Sequence, residues 1–510
     1  MNVRRSSNPL AEKSSDVTRR RVLIGLTGLA GALSLAACGG GTANAPAAVT
    51  TTAQQSTAIA RSAGSATAVS TASSVVQTSS IATASAAVSN GGSTMAAPAS
   101  VSAVEKANGG IRFSFFGDKN EQAIWEKIAQ QYSTASGIPV ATEPIPSNYF
   151  NKVQAELAGG VGADVILMED KPTSGWAKNG AFHELDAFIG ADHTFKLDDY
   201  YAVLFNGLKY HGKLYGFPQH WLTQSIAYNK QLFRAAGIPF PAVDWKDPSW
   251  NWNAFLDAAQ KLTVTSNGKT TQWGFPLTGY SWTRWRMWVW QNGGQVLSDD
   301  LKQCVLDTSA ATEGLQFYAD LPNVHHVGPT PAERKAANSA DDTTLFAQSK
   351  AAMIATPPYF FDLRSQIKDV DWDIAPMPMQ KKRAAPLWPD SISMNAATKA
   401  SGVAWGLLRY VVGSEGQTTI TTLGRGVPVL KSVANSPAFL QTDKQPASIA
   451  SYLDLPQYGV VTQYTTVWTD MEKANSEELT PVFLGQRSAK DGVTRLAPRI
   501  NTLLQGAEVG

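Results

Sequence analysis

Strand-like and helix-like patterns alternate along residues 111–170. The strand patterns lie at 111–116, 137–140 and 162–168, and the helical patterns lie at 121–134 and 149–157. The first helical pattern places Ile124, Ile128 and Tyr132 on one face, and the last strand pattern is almost wholly apolar. This β-α-β-α-β order predicts a parallel sheet with helices on both faces.

Acidic side chains follow two of these predicted strands. Asp118 comes after the first strand, and Glu169 and Asp170 come directly after the third. Ligands of open α/β sheets bind outside the carboxyl ends of the strands. We therefore expect these three carboxylates to lie beside one another at the mouth of a ligand site.

A second patterned region covers residues 211–262. Gly212 is predicted to lie in a turn between two short strand pieces, and Pro218 is predicted to end the second piece. A short apolar strand at 225–228 precedes one or two helical turns that end at Gly237. Asn251 is then expected to cap a helix. The inner face of that helix would consist of Phe255, Ala259 and Leu262.

The first 38 residues have the pattern of an export signal. Three arginines at 19–21 precede an apolar run at 22–37 that is too short to span a bilayer. Small residues lead to Cys38, as in a bacterial lipobox, so Cys38 is the expected lipidation site and membrane anchor. A buried N-terminal helix with an incidental cysteine is the alternative. The arginines favour twin-arginine export, although the positive segment of an ordinary signal peptide has the same residues.

Residues 39–109 are rich in Ala, Ser and Thr and contain almost no charge and no aromatic side chain. Such a segment cannot bury enough apolar surface to offset the entropy of ordering, so we predict a disordered tether. Its Ser and Thr content also permits O-glycosylation, which the sequence does not decide.

Charge and composition narrow the class of partner. The chain has 510 residues, which is too many for one core, and its formal charge is +2. Residues 1–37 contribute +4 through six basic and two acidic side chains, so the remaining chain carries −2. No basic patch argues for nucleic-acid binding. Only 16% of residues are charged while 15 are Trp, a balance that suits contact with sugars.

Several segments carry a family resemblance. They are the Gly-Lys-Leu-Tyr-Gly-Phe-Pro run at 212–218, the Tyr-Asn-Lys-x-Leu-Phe-x-x-Ala-Gly run at 228–237, the Leu-Phe-x-x-Ser-Lys-Ala-Ala-Met run at 345–353 and the Trp-Asp-Ile-Ala-Pro-Met-Pro run at 372–378. Over about residues 111–440 the chain resembles the extracellular solute-binding proteins of family 1, the sugar-type binding proteins of ABC importers. It departs from the pattern at Asn251, Ala254 and Ser349, where the family has Thr, an acidic residue and Gly.

The resemblance implies an α/β fold of two lobes, of the periplasmic-binding-protein class II, with a mainly parallel sheet in each lobe and a ligand cleft between them. Lobe 1 would comprise residues 110–224 and 379–423, and lobe 2 would comprise residues 225–378 and 424–510. It also implies a monomeric, lipid-anchored extracytoplasmic protein that binds a solute without cofactor or metal and delivers it to the permease subunits of an ABC transporter.

The candidate ligand-binding residues combine aromatic planes with fixed polar groups, since aromatic faces stack on the C–H faces of sugar rings and polar groups bind hydroxyls. The aromatic candidates are Trp221, Trp282, Trp285, Tyr359 and Trp388. The polar candidates are Asp118, Glu169, Asp170, Gln219, Asp390 and Arg425. Any one of the tryptophans could instead pack in the core, as we expect of Trp288 and Trp290. Glu169 and Asp170 could equally belong to a solvated loop, and Arg425 could hold a loop carbonyl.

Catalysis has little support in the sequence. The six His residues are scattered without metal-ligand spacing, and no Gly-x-Ser-x-Gly motif is present. Asp118 and Glu169 could in principle form a glycosidase pair, and nothing in the sequence sets their separation. Two functions therefore stay open, a binding protein and an extracellular carbohydrate-active enzyme. For a binding protein, glycerol phosphates, polyamines and peptides are alternatives to sugars.

Overall fold

The computed structural model describes residues 110–508 except 172, 278–280, 337–340, 359 and 463. Cys38, the export signal, the tether and Tyr359 lie outside the described residues, so the expectations for them stay predictions. The strands are β1 (Ile111–Phe115), β2 (Val140–Pro144), β3 (Val165–Glu169), β4 (Lys209–Tyr210), β5 (Lys213–Leu214), β6 (Phe217–Thr223), β7 (Ser225–Asn229), β8 (Val264–Ser266), β9 (Lys269–Gln272), β10 (Met353–Thr356), β11 (Trp372–Pro376), β12 (Ala385–Met394) and β13 (Gly459–Val461).

The helices lie between these strands and after them. They are α1 (Lys119–Ser136), α2 (Tyr149–Ala158), α3 (Thr173–Lys178), α4 (Asp186–Ala191), α5 (Lys230–Ala235), α6 (Trp252–Lys261), α7 (Trp282–Gln291), α8 (Ser309–Asn323), α9 (Pro331–Ala336), α10 (Asp342–Ala347), α11 (Phe360–Gln366), α12 (Ser401–Val412), α13 (Ser414–Thr422), α14 (Lys431–Ala434), α15 (Pro437–Leu440), α16 (Trp468–Phe483) and α17 (Ala489–Leu504). Short 3-10 helices span Leu197–Asp199, Ala202–Leu208 and Ile449–Gln457. None of the described helices has both the length and the apolar character that crossing a bilayer requires.

The first sheet has the strand order β13-β12-β3-β1-β2, and β6 pairs with β12. β1 runs parallel to both β2 and β3, as the β-α-β-α-β pattern predicts. Side chains of β3 alternate between two apolar clusters: Val165 and Leu167 enter the main core, whereas Ile166 and Met168 pack with Trp176 on the other face. The predicted parallel strands with apolar packing on both faces are therefore confirmed for this part of the sheet.

The second sheet has the order β10-β7-β11, and both of its strand pairs are antiparallel. The expectation of a mainly parallel sheet in each lobe is wrong for this sheet. Short apolar patterns show that these segments are strands, but pattern alone does not set the direction in which strands pair. In the first sheet the closely spaced β-α-β units set that direction, and the second sheet has no such run.

Residues after 423 also depart from the expected lobe boundary. Val427 exchanges two backbone hydrogen bonds of 3.0 Å with Trp221 of β6, and β13 pairs parallel to β12. The chain therefore stays with the first sheet until Val461. The sequence instead predicts that the chain passes into lobe 2 at residue 424. β13 covers the edge of β12, which explains why the chain returns there. Helices α16 and α17 then pack in a second core around Phe255, Trp288 and Leu315.

Two local predictions in the 211–262 region have different outcomes. Asn251 caps α6 by accepting hydrogen bonds from the backbone N–H groups of Asn253 and Ala254, as predicted. Pro218, in contrast, lies inside β6 and does not end a strand. Proline lacks an N–H donor, and β6 can accommodate it because β12 is the one described strand that pairs with β6, the other contact being the isolated bridge from Trp221 to Val427.

Candidate functional site

A small group of side chains, here called the aromatic cluster, lies apart from the two large cores. It consists of Leu222, Trp282, Trp388, Tyr464 and Trp468, and each is less than one-tenth exposed. Leu222 and Trp388 belong to the first sheet, whereas Trp282 and Trp468 begin helices α7 and α16, which pack in the second core. The cluster thus joins the elements around the first sheet to those around the second core.

Trp282 occupies the centre of the aromatic cluster. Its ring centroid lies 5.9 Å from that of Trp388, 5.8 Å from that of Trp468 and 6.1 Å from that of Tyr464. The interplanar angles are 70°, 88° and 90°, so all three contacts are edge-to-face. Edge-to-face packing satisfies the ring quadrupoles and holds the planes at defined angles.

The pairing of β6 with β12 decides which tryptophans enter the cluster. Trp388 lies directly opposite Leu222 in the strand register, and both belong to the cluster. The adjacent residues Trp221 and Leu387 project to the other face and are part of the main core. Trp221 is completely buried there. The expectation that Trp221 shares a ligand-stacking surface with Trp388 is therefore corrected.

Helix α7 separates its tryptophans in the same way. Trp282 joins the aromatic cluster, whereas Trp285, Trp288 and Trp290 belong to the second core. Trp285 is 1% exposed. The structure therefore places Trp285 with the core tryptophans, and it confirms the core placement of Trp288 and Trp290.

Asp170 supplies the carboxylate next to the cluster. Its side chain is completely buried, and the Tyr464 hydroxyl donates a hydrogen bond of 2.8 Å to Oδ2. Oδ1 has no hydrogen-bond partner among the described residues. Burial raises the pKa of Asp170 well above its ordinary value, although Lys171 and the Tyr464 hydrogen bond act against this. A buried acceptor oxygen beside aromatic rings is a group that a ligand hydroxyl could bind.

Glu169 and Lys171 flank Asp170 in sequence. Lys171 Nζ donates a 2.7 Å hydrogen bond to Glu169 Oε2 and lies 6.0 Å from the centre of a Trp282 ring. Both side chains are about one-third exposed, so this ion pair lies at the rim of the site.

Asp390 is at the centre of a second polar group. His220 Nε2 lies 3.1 Å from Asp390 Oδ2, and Arg425 lies 3.5 Å from the same oxygen while pairing with Glu121 at 2.7 Å. Burial acts to raise the pKa of Asp390, but His220 and Arg425 lower it overall. Burial lowers the pKa of His220. Gln219 is completely buried beside His220, with its Oε1 2.6 Å from His220 Nδ1. These buried contacts hold the middle of β6 against the middle of β12.

Asp118 has a different role from the one expected. Its exposed side chain accepts hydrogen bonds of 2.8 Å and 3.0 Å from the backbone N–H groups of Asn120 and Glu121, and so caps α1. The structure therefore brings Glu169, Asp170, Trp282 and Trp388 to one place and gives Asp118 a structural role outside it.

Two aromatic members of the cluster were missed by the sequence analysis. Tyr464 and Trp468 lie beyond residue 440, where the resemblance to the family fades. The signal that could have found them is an aromatic pair four residues apart, of which the second residue begins a helix. No sequence pattern could pair Tyr464 with Asp170, because 294 residues separate them.

Comparison with known proteins assigns the chain to a family of extracellular proteins. The chain belongs to the bacterial extracellular solute-binding protein family, whose sequence profile matches residues 117–418, more than half of the chain. The predicted family and the predicted α/β binding-protein fold are thereby confirmed, with a mixed first sheet and an antiparallel second one.

Solved structures of the same fold come from several bacteria. An ABC substrate-binding protein of Listeria monocytogenes in complex with cycloalternan is 21% identical, with a TM-score of 0.69 and coverage of 78% of this chain and 98% of that one. Maltose-bound MalE3 of T. maritima is 18% identical, with a TM-score of 0.65 and coverage of 77% and 99%. UgpB of Mycobacterium tuberculosis in complex with glycerophosphocholine is 19% identical, with a TM-score of 0.65 and coverage of 78% and 98%.

Proposed function

We propose that this chain is the lipid-anchored substrate-binding protein of an ABC importer and that it binds a sugar or oligosaccharide at the aromatic cluster. The observation that carries the proposal is the hydrogen bond that Tyr464 donates to buried Asp170, together with the edge-to-face contact between the Tyr464 and Trp282 rings. Aromatic planes beside a fixed acceptor are the elements that a sugar site needs. Two of the solved relatives were determined with cycloalternan and maltose bound.

The cluster suits a site that opens and closes. Its rings come from β12 on one side and from α7 and α16 on the other, so a hinge motion between two lobes would separate Trp388 from Trp282. A sugar ring entering between them would exchange ring–ring contacts for ring–C–H contacts. The ligand would then stabilise the closed arrangement by contacting both sides.

A glycerophosphodiester is the second candidate, because UgpB binds glycerophosphocholine. A phosphate group requires cations that are available to bind it. Among the described residues, the two cations that lie over cluster rings are Lys171 and Arg286, and each is paired with a carboxylate, Glu169 or Glu472. This pairing favours a neutral ligand over a phosphorylated one.

Calorimetric titration of the purified protein with maltose, maltotriose and glycerophosphocholine tests the proposal. We expect a sugar to bind and raise the melting temperature, because a ligand that binds the native state stabilises it. Chromatography of the same mixtures should show no product. Steady turnover that is lost on changing Glu169 would favour the carbohydrate-active enzyme, and binding of glycerophosphocholine alone would favour the second candidate.

Membrane attachment is part of the proposal and has its own test. Cys38→Ala should release the protein from the membrane fraction or leave it unprocessed, since acyl chains on Cys38 would supply the anchor. Mass spectrometry of the fractionated protein reports both outcomes. A Cys38→Ala variant that still fractionates with membranes at unchanged mass would contradict lipidation at this residue. Delivery to permease subunits is proposed from the family alone.

A further inference from the structure

Behind the aromatic cluster, two helices present matching pairs of side chains. On α7, Trp282 and Arg286 are four residues apart, and on α16, Trp468 and Glu472 are four residues apart. Residues at this spacing lie on the same helical face. The Trp282 and Trp468 centroids are 5.8 Å apart, and one turn further along Arg286 Nη2 donates a 2.5 Å hydrogen bond to Glu472 Oε1. The ion pair between Arg286 and Glu472 therefore lies one helical turn beyond the aromatic pair of Trp282 and Trp468.

The Arg286 guanidinium also contacts the rings themselves. Its Cζ lies 4.5 Å from the centre of the Trp468 ring, 5.2 Å from that of Trp285 and 5.7 Å from that of Trp282. A planar guanidinium stacks on aromatic faces as well as pairing with carboxylates, and a lysine ammonium has no such plane. The Arg286 side chain is 3% exposed, so water does not weaken these contacts.

We propose that Arg286, held by Glu472, is a positioning residue that sets the planes of Trp282 and Trp468 for ligand stacking. This inference rests on the proposed function and adds the residues that determine the geometry of its site. Trp285, which anchors the guanidinium on the side of the second core, links that geometry to the packed interior. Neither Arg286 nor Glu472 needs to touch the ligand.

Measurements of stability can separate a positioning role of Arg286 from a purely structural role. Replacing a buried ion pair by apolar side chains of similar volume is often neutral for stability or stabilising, whereas removing one partner leaves an uncompensated charge. The double variant Arg286→Met/Glu472→Met should therefore melt within about 2–4 °C of the wild type, a small loss coming from the hydrogen bond that Asn475 Nδ2 donates to Glu472 Oε1. If Arg286 positions the rings, this variant still loses the plane that fixes them. Arg286→Lys keeps the charge, but it too should lose the positioning.

The experiment combines a ring-specific spectrum with a binding measurement. The protein is labelled with 5-fluorotryptophan, and the ¹⁹F resonances of Trp282, Trp468 and Trp125 are assigned from their single Trp→Phe variants. Trp125 is completely buried in the main core and serves as the internal control. In the double variant we expect the first two resonances to shift and broaden while that of Trp125 stays in place. Maltotriose affinity should fall by roughly 5- to 30-fold.

Arg383 provides a matched control for the loss of a buried arginine. It is 8% exposed and donates to the carbonyl oxygens of Trp245, Asp247 and Met377, outside the aromatic cluster. Arg383→Met should leave the Trp282 and Trp468 resonances unchanged. Unchanged resonances in the double variant, or shifted resonances with unchanged maltotriose affinity, would overturn the inference. If the wild type does not bind maltotriose, that result counts against the sugar proposal, and the resonances alone decide the positioning role.

Discussion

Trp221 and Trp388 are tryptophans of paired strands, and the structure places them in different environments. Trp221 lies opposite Pro389, and Trp388 lies opposite Leu222, so the two are one register step apart. Trp221 is 0% exposed in the main core, whereas Trp388 is 9% exposed in the aromatic cluster. Two tryptophans with the same predicted role thus face opposite sides of one ribbon.

The difference shows that the face of the strand on which a residue lies decides its environment more than the residue type does. A tryptophan is suited equally to a core and to a sugar site, and the side of the sheet to which it points decides which of the two it joins. Trp221 contacts Tyr201 at a ring distance of 6.4 Å and sits among aliphatic core residues. Trp388, in the first sheet, contacts Trp282 of α7, a helix that packs in the second core. One ring is therefore suited to stabilise the fold and the other to bind a ligand.

The largest expected effect comes from Trp221→Ala. Removing a completely buried indole leaves a cavity, and the cost should be about 3–5 kcal/mol of unfolding free energy. Denaturant titration of the variant measures this loss. Ligand affinity of the folded fraction should change little, and a variant of near wild-type stability with weakened binding would show that Trp221 belongs to the site.

Trp388→Ala should produce the opposite pattern. Loss of a stacking ring should weaken sugar binding by about 1–3 kcal/mol, or roughly 5- to 150-fold. Calorimetric titration with maltotriose measures the affinity, and a thermal melt of the unliganded variant measures its stability. A large drop in melting temperature with normal affinity would assign Trp388 to the core as well.

Much of this organisation could be predicted from the sequence, and the errors have physical causes. Periodic apolar positions predicted β1 and α1, whose apolar residues enter the main core, and a continuous apolar run predicted β3, which buries both of its faces. Trp221 is misplaced because the sequence predicts the end of a strand at Pro218, whereas β6 continues to Thr223 and its alternation turns Trp221 into the main core. Tyr464 and Asp170 are brought together only by tertiary folding, which no local pattern encodes.

Asp170→Asn tests the buried carboxyl group of the site through the pH dependence of stability. A folded-state pKa above the unfolded value means that the folded protein binds the proton more tightly, so Asp170 contributes stability at low pH and loses it as pH rises through the folded pKa. Asparagine removes this dependence. The variant should therefore gain about 1–2 kcal/mol of stability on the wild type as pH rises above the unfolded-state pKa of roughly 4. Melts at several pH values should show this difference growing with pH, and a constant difference would contradict the raised pKa.

The smallest effect is expected for Asp118→Ala. This variant tests whether Asp118, which follows β1, has a different role from Asp170, which follows β3. Asp118 accepts two hydrogen bonds from the first turn of α1, and Asp170 presents a free acceptor beside the rings. Loss of the cap should lower the unfolding free energy by about 1 kcal/mol, and Asp118→Asn, which retains a capping oxygen, should restore most of it. Maltotriose affinity should stay at the wild-type value in both variants. A several-fold loss of affinity shared by Ala and Asn would return Asp118 to the ligand site, because the capping function would then not explain the effect.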